Sequence, residues 1–293
     1  MRFEAILIID ESGAKGYAND KEKPGDDFGV ISGIMVPVDR YEDLKKDVEC
    51  LVGYPSNKKN HITDLSADDQ KKLRDSVFEL MNEYKIPWVY DAAYAEGFRL
   101  FENKVNEKFD KKINTSVSWN IPHTPSLLHA KLFRATFIKS AEFFFGQSQG
   151  QPIRVEIISD PIDSKTESRF CDELDRYLNA FRDENVTHTG FDRKTKAVVE
   201  VSFELRSALI VDHTNDLSDI EYSLHVEDNA LTFLADILVN SVHYHLKQAV
   251  KNHCGVPLNS ESAIRNHPLF SLAWGYVPER EGAHVDFHDE HYR

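Results

Sequence analysis

The sequence lacks several features that mark common protein classes. No apolar run reaches the length of a membrane span, and the N-terminus has neither the basic flank nor the cleavage site of a signal peptide. The three cysteines lie far apart and form no paired metal-ligand spacing. We therefore expect a cytosolic protein without a membrane partner, in which the cysteines are reduced.

Signature loops of nucleotide and serine enzymes are also missing. Gly13 and Gly16 are not followed by the Lys-Ser/Thr pair or the third glycine of a phosphate-binding loop. No Gly-x-Ser-x-Gly turn is present. These absences remove the usual support for kinase, hydride-transfer and serine-hydrolase chemistry.

Positive charge is scarce, since the net charge is -14. Tight non-specific binding to nucleic acid draws on Lys and Arg contacts to phosphates, and this balance opposes it. It does not exclude catalysis on nucleic acid, because a nuclease active site is itself a cluster of acids that carries divalent cations.

Composition and length indicate a packed globular protein. The chain has 293 residues, of which 41% are apolar, with 18 Phe and 11 Tyr. Strand-like and helix-like segments are interspersed, which predicts a mixed α/β sheet flanked by helices. We expect one domain over 1–293, with a helical insertion at about 97–150 and a C-terminal tail at 280–293.

The opening segment carries the strongest functional signal. Five consecutive aliphatic residues, 5–9, predict a strand that is covered on both faces, and it ends at Asp10-Glu11-Ser12-Gly13. Open α/β sheets build their sites at strand ends. A carboxylate at such a rim must be hydrated, hydrogen-bonded or bound to metal.

Further elements follow from periodicity and capping signals. Strands are predicted at 28–36, 86–93, 153–160, 197–205 and 207–212. Helices are predicted at 38–51, 66–84, 97–109, 125–145, 165–182 and 226–250, the last with Glu227 and Asp228 in its first turn.

Two later strands also end on an acid. Asp160 follows the run at 153–159, and Asp212 follows Leu209-Ile210-Val211. Either can supply a second strand-end carboxylate beside Asp10, and the sequence does not separate them.

Asp236 is the only charged residue between Ala230 and Val242 of the late helix. Asn240 and His243 follow at helical spacing, so they share a face with Asp236 and can orient it or contact a substrate. Several converging carboxylates are what a two-metal phosphoryl-transfer site requires, with cations roughly 4 Å apart.

Asp10-Glu11-Ser12-Gly13 and Leu234-Ala235-Asp236-Ile237 resemble the two end motifs of the DUF3800 family of prokaryotic and phage proteins. The resemblance implies an RNase H-like fold, with Asp10, Glu11 and Asp236 in the site. The segment 61–65, His-Ile-Thr-Asp-Leu, is similar to a short family segment. It departs from the pattern at Asn60, as the late motif does at Phe233.

Several other residues are weaker candidates for binding. His129 and Lys131 can face the site as substrate contacts, although a helix surface explains them equally well. The histidines at 284, 288 and 291 have spacing that can bind zinc, but a solvated tail is the expected state. A group of lysines with Trp119 nearby can guide a nucleic-acid strand; these are Lys104, Lys108, Lys111 and Lys112.

Together these features predict an RNase H-like nuclease or related phosphodiester hydrolase that uses Mg²⁺ or Mn²⁺. Asp10 would bridge two ions, Asp160 and Asp236 would hold one each, and Glu11 or Asn240 would orient the attacking water. Nucleic acid is the expected partner. The alternatives are a non-catalytic module that binds a protein partner, in a defence or toxin-related system, and a small phosphate-ester hydrolase. A homo-oligomer is possible.

Overall fold

A computed structural model describes residues 2–14, 28–53, 61–95, 98, 117–119, 128–182, 185–204, 220–252, 263–274 and 287–288. The strands in chain order are β1 (Phe3–Gly13), β2 (Phe28–Pro37), β3 (Trp88–Tyr94), β4 (Val117–Trp119), β5 (Ile153–Ser159), β6 (Asn185–Asp192), β7 (Ala197–Glu204), β8 (Ile220–Val226) and β9 (Phe287–His288). The helices are α1 (Val38–Val52), α2 (Ala67–Tyr84), α3 (Leu128–Ser148), α4 (Ser164–Arg182) and α5 (Ala230–Asn252).

The main sheet has the order β8-β5-β1-β2-β3, with the two-residue β9 beside β3. β1, β2 and β3 are antiparallel neighbours, while β5 runs parallel to β1 and β8 runs parallel to β5. This arrangement of three antiparallel and two parallel strands, flanked by helices, is the RNase H-like fold. The fold class expected from the sequence is confirmed.

Helices cover both faces of the sheet. One core contains Ile6 and Ile8 of β1 with the apolar residues of α1, α2 and α5, and the other contains Leu7 and Ile9 with those of α3 and α4. The alternation follows from the two-residue period of a strand. Because both faces are covered, 5–9 can be entirely aliphatic, and all five side chains are buried.

α3 belongs to the second of these cores, the one that contains Leu7 and Ile9. It packs on β2 and β3, and Phe133 and Phe137 are buried in it. The predicted insertion at about 97–150 overlaps this helix at 128–148, and most of 97–127 lies outside the described residues. The tail prediction is tested only at 287–288, where the chain pairs with β3.

Four strands were not predicted, namely β4, β6, β8 and β9. β6 forms a hairpin with β7, and β4 joins it in a separate three-stranded sheet. β8 occupies 220–226, so the late helix begins at Ala230 and not at Val226. Asn229 caps it, since its side-chain oxygen accepts hydrogen bonds from the amides of Leu231 and Thr232. Glu227 and Asp228 precede the helix.

In the part of the chain that the structure describes, no helix combines the length and the apolar character needed to cross a bilayer.

Candidate metal-binding site

The site lies in the last third of β1, which continues past Asp10 to Gly13 and did not end at Asp10 as predicted. Asp10 continues the face of Ile6 and Ile8, which is the face that α5 covers. On α5, Asp236 is 5% exposed in an otherwise apolar stretch. The carboxyl group of Asp10, whose pKa is raised, donates a hydrogen bond to the carboxylate of Asp236 when it is protonated. The two residues that carry the family resemblance are therefore in direct contact.

Asp236 is held on both of its carboxylate oxygens. The backbone N–H of Ile62 donates to Oδ2 at 2.9 Å, and the side-chain amide of Asn240 donates to Oδ1 at 2.6 Å. Asn240 also donates to the backbone carbonyl of Asp236 at 2.9 Å. Each oxygen keeps a second lone pair for another partner. Asn240 thus orients Asp236, which is one of the three roles predicted for it.

Asp160 reaches the same end of the sheet from β5. The parallel register pairs Ile9 with Ser159, so the next residues along the two strands are Asp10 and Asp160. Ile158 lies in the same core as Ile8, which places Asp160 on the α5 face by strand alternation. Its charge acts on both Asp10 and Asp236. Asp160 therefore lies on the same face and at the same end of the sheet as Asp10.

The electrostatics of this cluster are unfavourable to three separate negative charges. Burial raises the pKa of Asp10 well above its ordinary value, and the charges of Asp236, Asp160 and Glu11 add to the increase. Burial also raises the pKa of Asp236, against the lowering effects of the Ile62 amide and His61. Two carboxyl groups in such contact share a proton or a cation.

Glu11 does not join the aspartates. As the next residue of the strand it points to the opposite face, toward α3. There its Oε2 lies 3.4 Å from Nδ1 of His129, whose side chain is 3% exposed. The predicted Asp10–Glu11 doublet is split by the sheet, and both Glu11 and His129 lie on the face away from Asp236.

The other predicted substrate contacts have separate partners. His243 lies close to the end of β1, with its Nδ1 2.9 Å from Oγ of Ser12. Lys131 pairs with Glu173 of α4, with Nζ 2.9 Å from Oε1. His243 thus borders the site, whereas the ammonium of Lys131 is committed to α4.

The donor set fits a hard divalent cation. Among the described residues, no group of three or more His, Cys, Asp or Glu side chains is arranged so that it could hold a metal ion. Mg²⁺ does not require one, since it keeps several waters and is held by one or two carboxylates together with substrate phosphates. The contacting pair of Asp10 and Asp236, with Asp160 beside it, matches that requirement.

Some predictions fall outside the described residues. Asp212 is one, so the choice between it and Asp160 is informed only by the position of Asp160. The same is true of the tail histidines at 284 and 291 and of the four lysines at 104–112.

The contact between the segment at 61–65 and Asp236 was not predicted from the sequence. Ile62 begins a short 3₁₀ turn, Ile62–Asp64, and its amide binds Asp236. The half-exposed imidazole of His61 lies with Nδ1 3.9 Å from Oδ2 of Asp236. The resemblance of this segment to the family pattern was the available signal.

Glu227 is a further acid at this edge that was assigned another role. It follows β8, and its N–H donates to the carbonyl of Ser159 at 2.9 Å. Its carboxylate accepts a hydrogen bond from Asn229 at 2.8 Å. The signal was hidden because β8 was not predicted and Glu227 was placed inside the helix.

No family model and no curated protein match this chain. Solved structures that resemble it include Bst-RNase HIII in complex with Mn²⁺ and a glutamine-to-alanine mutant of Bst-RNase HIII. Each has 12% sequence identity and a TM-score of 0.37, and the match covers 92% of this chain and 65% of that chain. The chain thus spans slightly less than two thirds of the length of these RNase HIII chains.

Proposed function

We propose that the protein is a divalent-metal-dependent nuclease or a related phosphodiester hydrolase. One observation carries the proposal: Asp10 and Asp160 follow paired residues of the parallel strands β1 and β5 on the face that α5 covers, and the carboxyl group of Asp10 interacts with that of Asp236. Burial and mutual repulsion make this arrangement unfavourable for the fold alone. Perturbed carboxyl groups of this kind are typical of functional sites.

Mg²⁺ or Mn²⁺ is the cofactor that we propose, because oxygen donors favour hard cations. When bound, such ions polarise a phosphoryl oxygen and make water a stronger nucleophile. Asp10 and Asp236 would hold the metal, and Asp160 would complete the carboxylate set.

The supporting residues have definable tasks. The Ile62 amide and the Asn240 side chain hold Asp236 in one orientation, as outer-shell partners do for metal ligands. Asn240 is committed to that carboxylate, and Glu11 lies on the other face, so neither is favoured as the group that orients water. His61 is half-exposed beside Asp236 and is placed to meet a substrate.

The alternatives make different demands on the same residues. A protein-binding module would be expected to neutralise its acids with Lys or Arg. Among the described residues, the partners of Asp10 and Asp236 are each other, amide groups and His61. No observation favours a small phosphate ester over a polymer. Membership of the DUF3800 family remains a prediction that agrees with this proposal.

The test is cleavage of labelled oligonucleotides. Single-stranded and duplex DNA and RNA would be incubated with the wild-type protein and Mg²⁺, Mn²⁺ or EDTA, alongside an Asp10→Asn/Asp236→Asn variant. We expect metal-dependent cleavage of at least one substrate by the wild type and none by the variant. Equal cleavage by both proteins, or no cleavage with any metal, would overturn the proposal.

A further inference from the structure

The β6–β7 hairpin concentrates positive charge in an acidic protein. Its turn, residues 193–196, reads Arg-Lys-Thr-Lys, so three of four residues are cationic while the whole chain carries -14. All four are exposed. In the part of the chain that the structure describes, no ion pair engages Arg193, Lys194 or Lys196.

The turn is fixed by its own backbone. The β6–β7 register pairs Asp192 with Ala197, which closes the hairpin around the four turn residues. The carboxylate of Asp192 accepts a hydrogen bond from the backbone N–H of Lys194 at 2.8 Å, and Lys196 adopts a left-handed conformation with φ of 54°. The side chains of the three cations are therefore projected from an ordered turn.

Exposed apolar side chains stand directly beside these cations. Phe191 is 47% exposed and Val198 is 70% exposed. They are opposite each other in the β6–β7 register, so they share one face of the hairpin. A half-exposed aromatic ring next to three cations is the combination that binds single-stranded nucleic acid, with the ring stacked on a base and the cations at phosphates.

We propose that the β6–β7 hairpin tip, Phe191 to Val198, is a binding element for single-stranded nucleic acid. This inference rests on the proposed function in one respect, since that function supplies the reason for a nucleic-acid partner. The occupant is chosen by charge complementarity and by the need of an exposed aromatic ring for an unpaired base. A duplex would offer phosphates to the cations but no unpaired base to Phe191.

The proposal predicts specific changes in affinity and in salt dependence. Replacing Arg193, Lys194 and Lys196 with Gln removes three phosphate contacts, which should lower the slope of log affinity against log salt by about 2. Phe191→Ala removes a stacking platform and should weaken binding about 10-fold, with the salt slope unchanged.

The probe is a fluorescein-labelled 20-nucleotide single strand, as DNA and as RNA, with the matching duplexes for comparison. Anisotropy would be measured for the full chain in EDTA, to prevent cleavage, from about 50 to 200 mM salt. Matched controls are Lys71→Gln/Lys72→Gln on α2 and Tyr244→Ala, an aromatic residue that is 61% exposed on α5. Circular dichroism would check that each variant is folded.

We expect the hairpin variants to lose single-strand affinity as stated while the control variants bind like the wild type. Hairpin variants that bind single strands as the wild type does, a wild type that binds none, or a stronger loss on duplexes would each overturn the proposal. If the hairpin binds single strands but no nucleic acid is cleaved, only the nuclease proposal fails. If cleavage occurs and the hairpin variants change neither affinity nor KM, only the hairpin proposal fails.

Discussion

Two buried acidic sites in this molecule are stabilised in opposite ways. Glu173 of α4 is 4% exposed, and it lies within 2.9 Å of Lys131, 2.8 Å of Arg134 and 3.4 Å of Arg176. Asp10 and Asp236 face each other and Asp160 instead. The first site neutralises a buried carboxylate with cations of the chain, and the second places carboxylates together.

The contrast between the two sites is consistent with a structural role for Glu173 and with the proposed metal-binding role for Asp10 and Asp236. Burying a charge requires a compensating charge or hydrogen bond. The chain provides compensating cations at Glu173, so the absence of Lys and Arg from the described partners of Asp10 and Asp236 is not a general property of its interior. The missing positive charge at the second site is what a divalent cation would supply.

The largest difference should be between the cleavage rates of two variants of neighbouring β1 residues, Asp10→Asn and Glu11→Gln. Asp10→Asn should reduce metal-dependent cleavage by about 10³-fold or more, because loss of a metal ligand removes several kcal/mol of transition-state stabilisation. Glu11→Gln should change it by about threefold or less, because Glu11 lies on the opposite face. Single-turnover rates on a labelled oligonucleotide measure both. Equal losses in the two variants would contradict the placement of Glu11.

His267 is a buried titratable residue outside both acidic sites, and its lowered pKa should make the free energy of unfolding depend on pH. Burial, with a contribution from His245, lowers the pKa of His267 to about 3. Its unfolded pKa is about 6.5, so the unfolded chain takes up a proton first as pH falls. Stability present above pH 6.5 should therefore be lost as pH falls from about 6.5 toward 3, by about 3 kcal/mol at pH 4.

The variant for this effect is His267→Gln, which can replace both ring contacts. Nδ1 accepts from the Leu269 N–H, which leaves Nε2 to donate to Ser241. Urea unfolding of wild type and variant across this pH range should show a smaller acid-side loss in the variant. Parallel pH curves would refute the assignment.

Glu173 itself should be needed for stability and not for cleavage. Glu173→Gln leaves three cations around a neutral group, and we expect the free energy of unfolding to fall by about 2 kcal/mol, between the values for exposed and buried pairs. Urea unfolding at pH 7 measures the change. A cleavage rate below half that of the wild type, measured with folded variant, would argue against a purely structural role.

The smallest predicted effect is a gain in stability, in contrast to the losses predicted above. The raised pKa of Asp10 means that the metal-free folded protein loses stability as pH rises from the unfolded value of about 4 through the folded value. Asp10→Asn removes one charge and can donate a hydrogen bond to Asp236, so it should stabilise the metal-free protein at pH 8 by about 1 kcal/mol. The gain should vanish near pH 4. A less stable variant at pH 8 in EDTA would contradict the repulsion.

Local patterns in the sequence were sufficient for much of the fold and for the paired aspartates. The aliphatic run at 5–9 predicted β1, and Ser66 predicted the start of α2, where its Oγ accepts from the amide of Asp69 at 3.2 Å. The isolated charge of Asp236 in an apolar helix indicated that this carboxylate belongs to a site and not to the core. These signals are local in the chain, so no tertiary information was needed.

The remaining features depend on contacts between distant segments. Ile62 holds Asp236 across 174 positions through a backbone amide, which no side-chain pattern encodes. Asp10 and Glu11 look like a doublet in sequence, and only the two covered faces of the sheet separate them. β8 is an exception, because Ile220–Val226 alternates apolar and polar residues, which is the local pattern of a half-buried strand. It was missed because the late helix was predicted to begin at Val226.

Metal titration examines the carboxylate cluster without depending on any substrate. Isothermal calorimetry with Mn²⁺ would compare the wild type, the Asp10→Asn/Asp236→Asn variant and Glu173→Gln, with thermal unfolding as the check of folding. We predict that the wild type and Glu173→Gln bind Mn²⁺ and that the double variant does not. Equal binding by the double variant and the wild type, or no binding by the wild type, would contradict a metal site at Asp10 and Asp236.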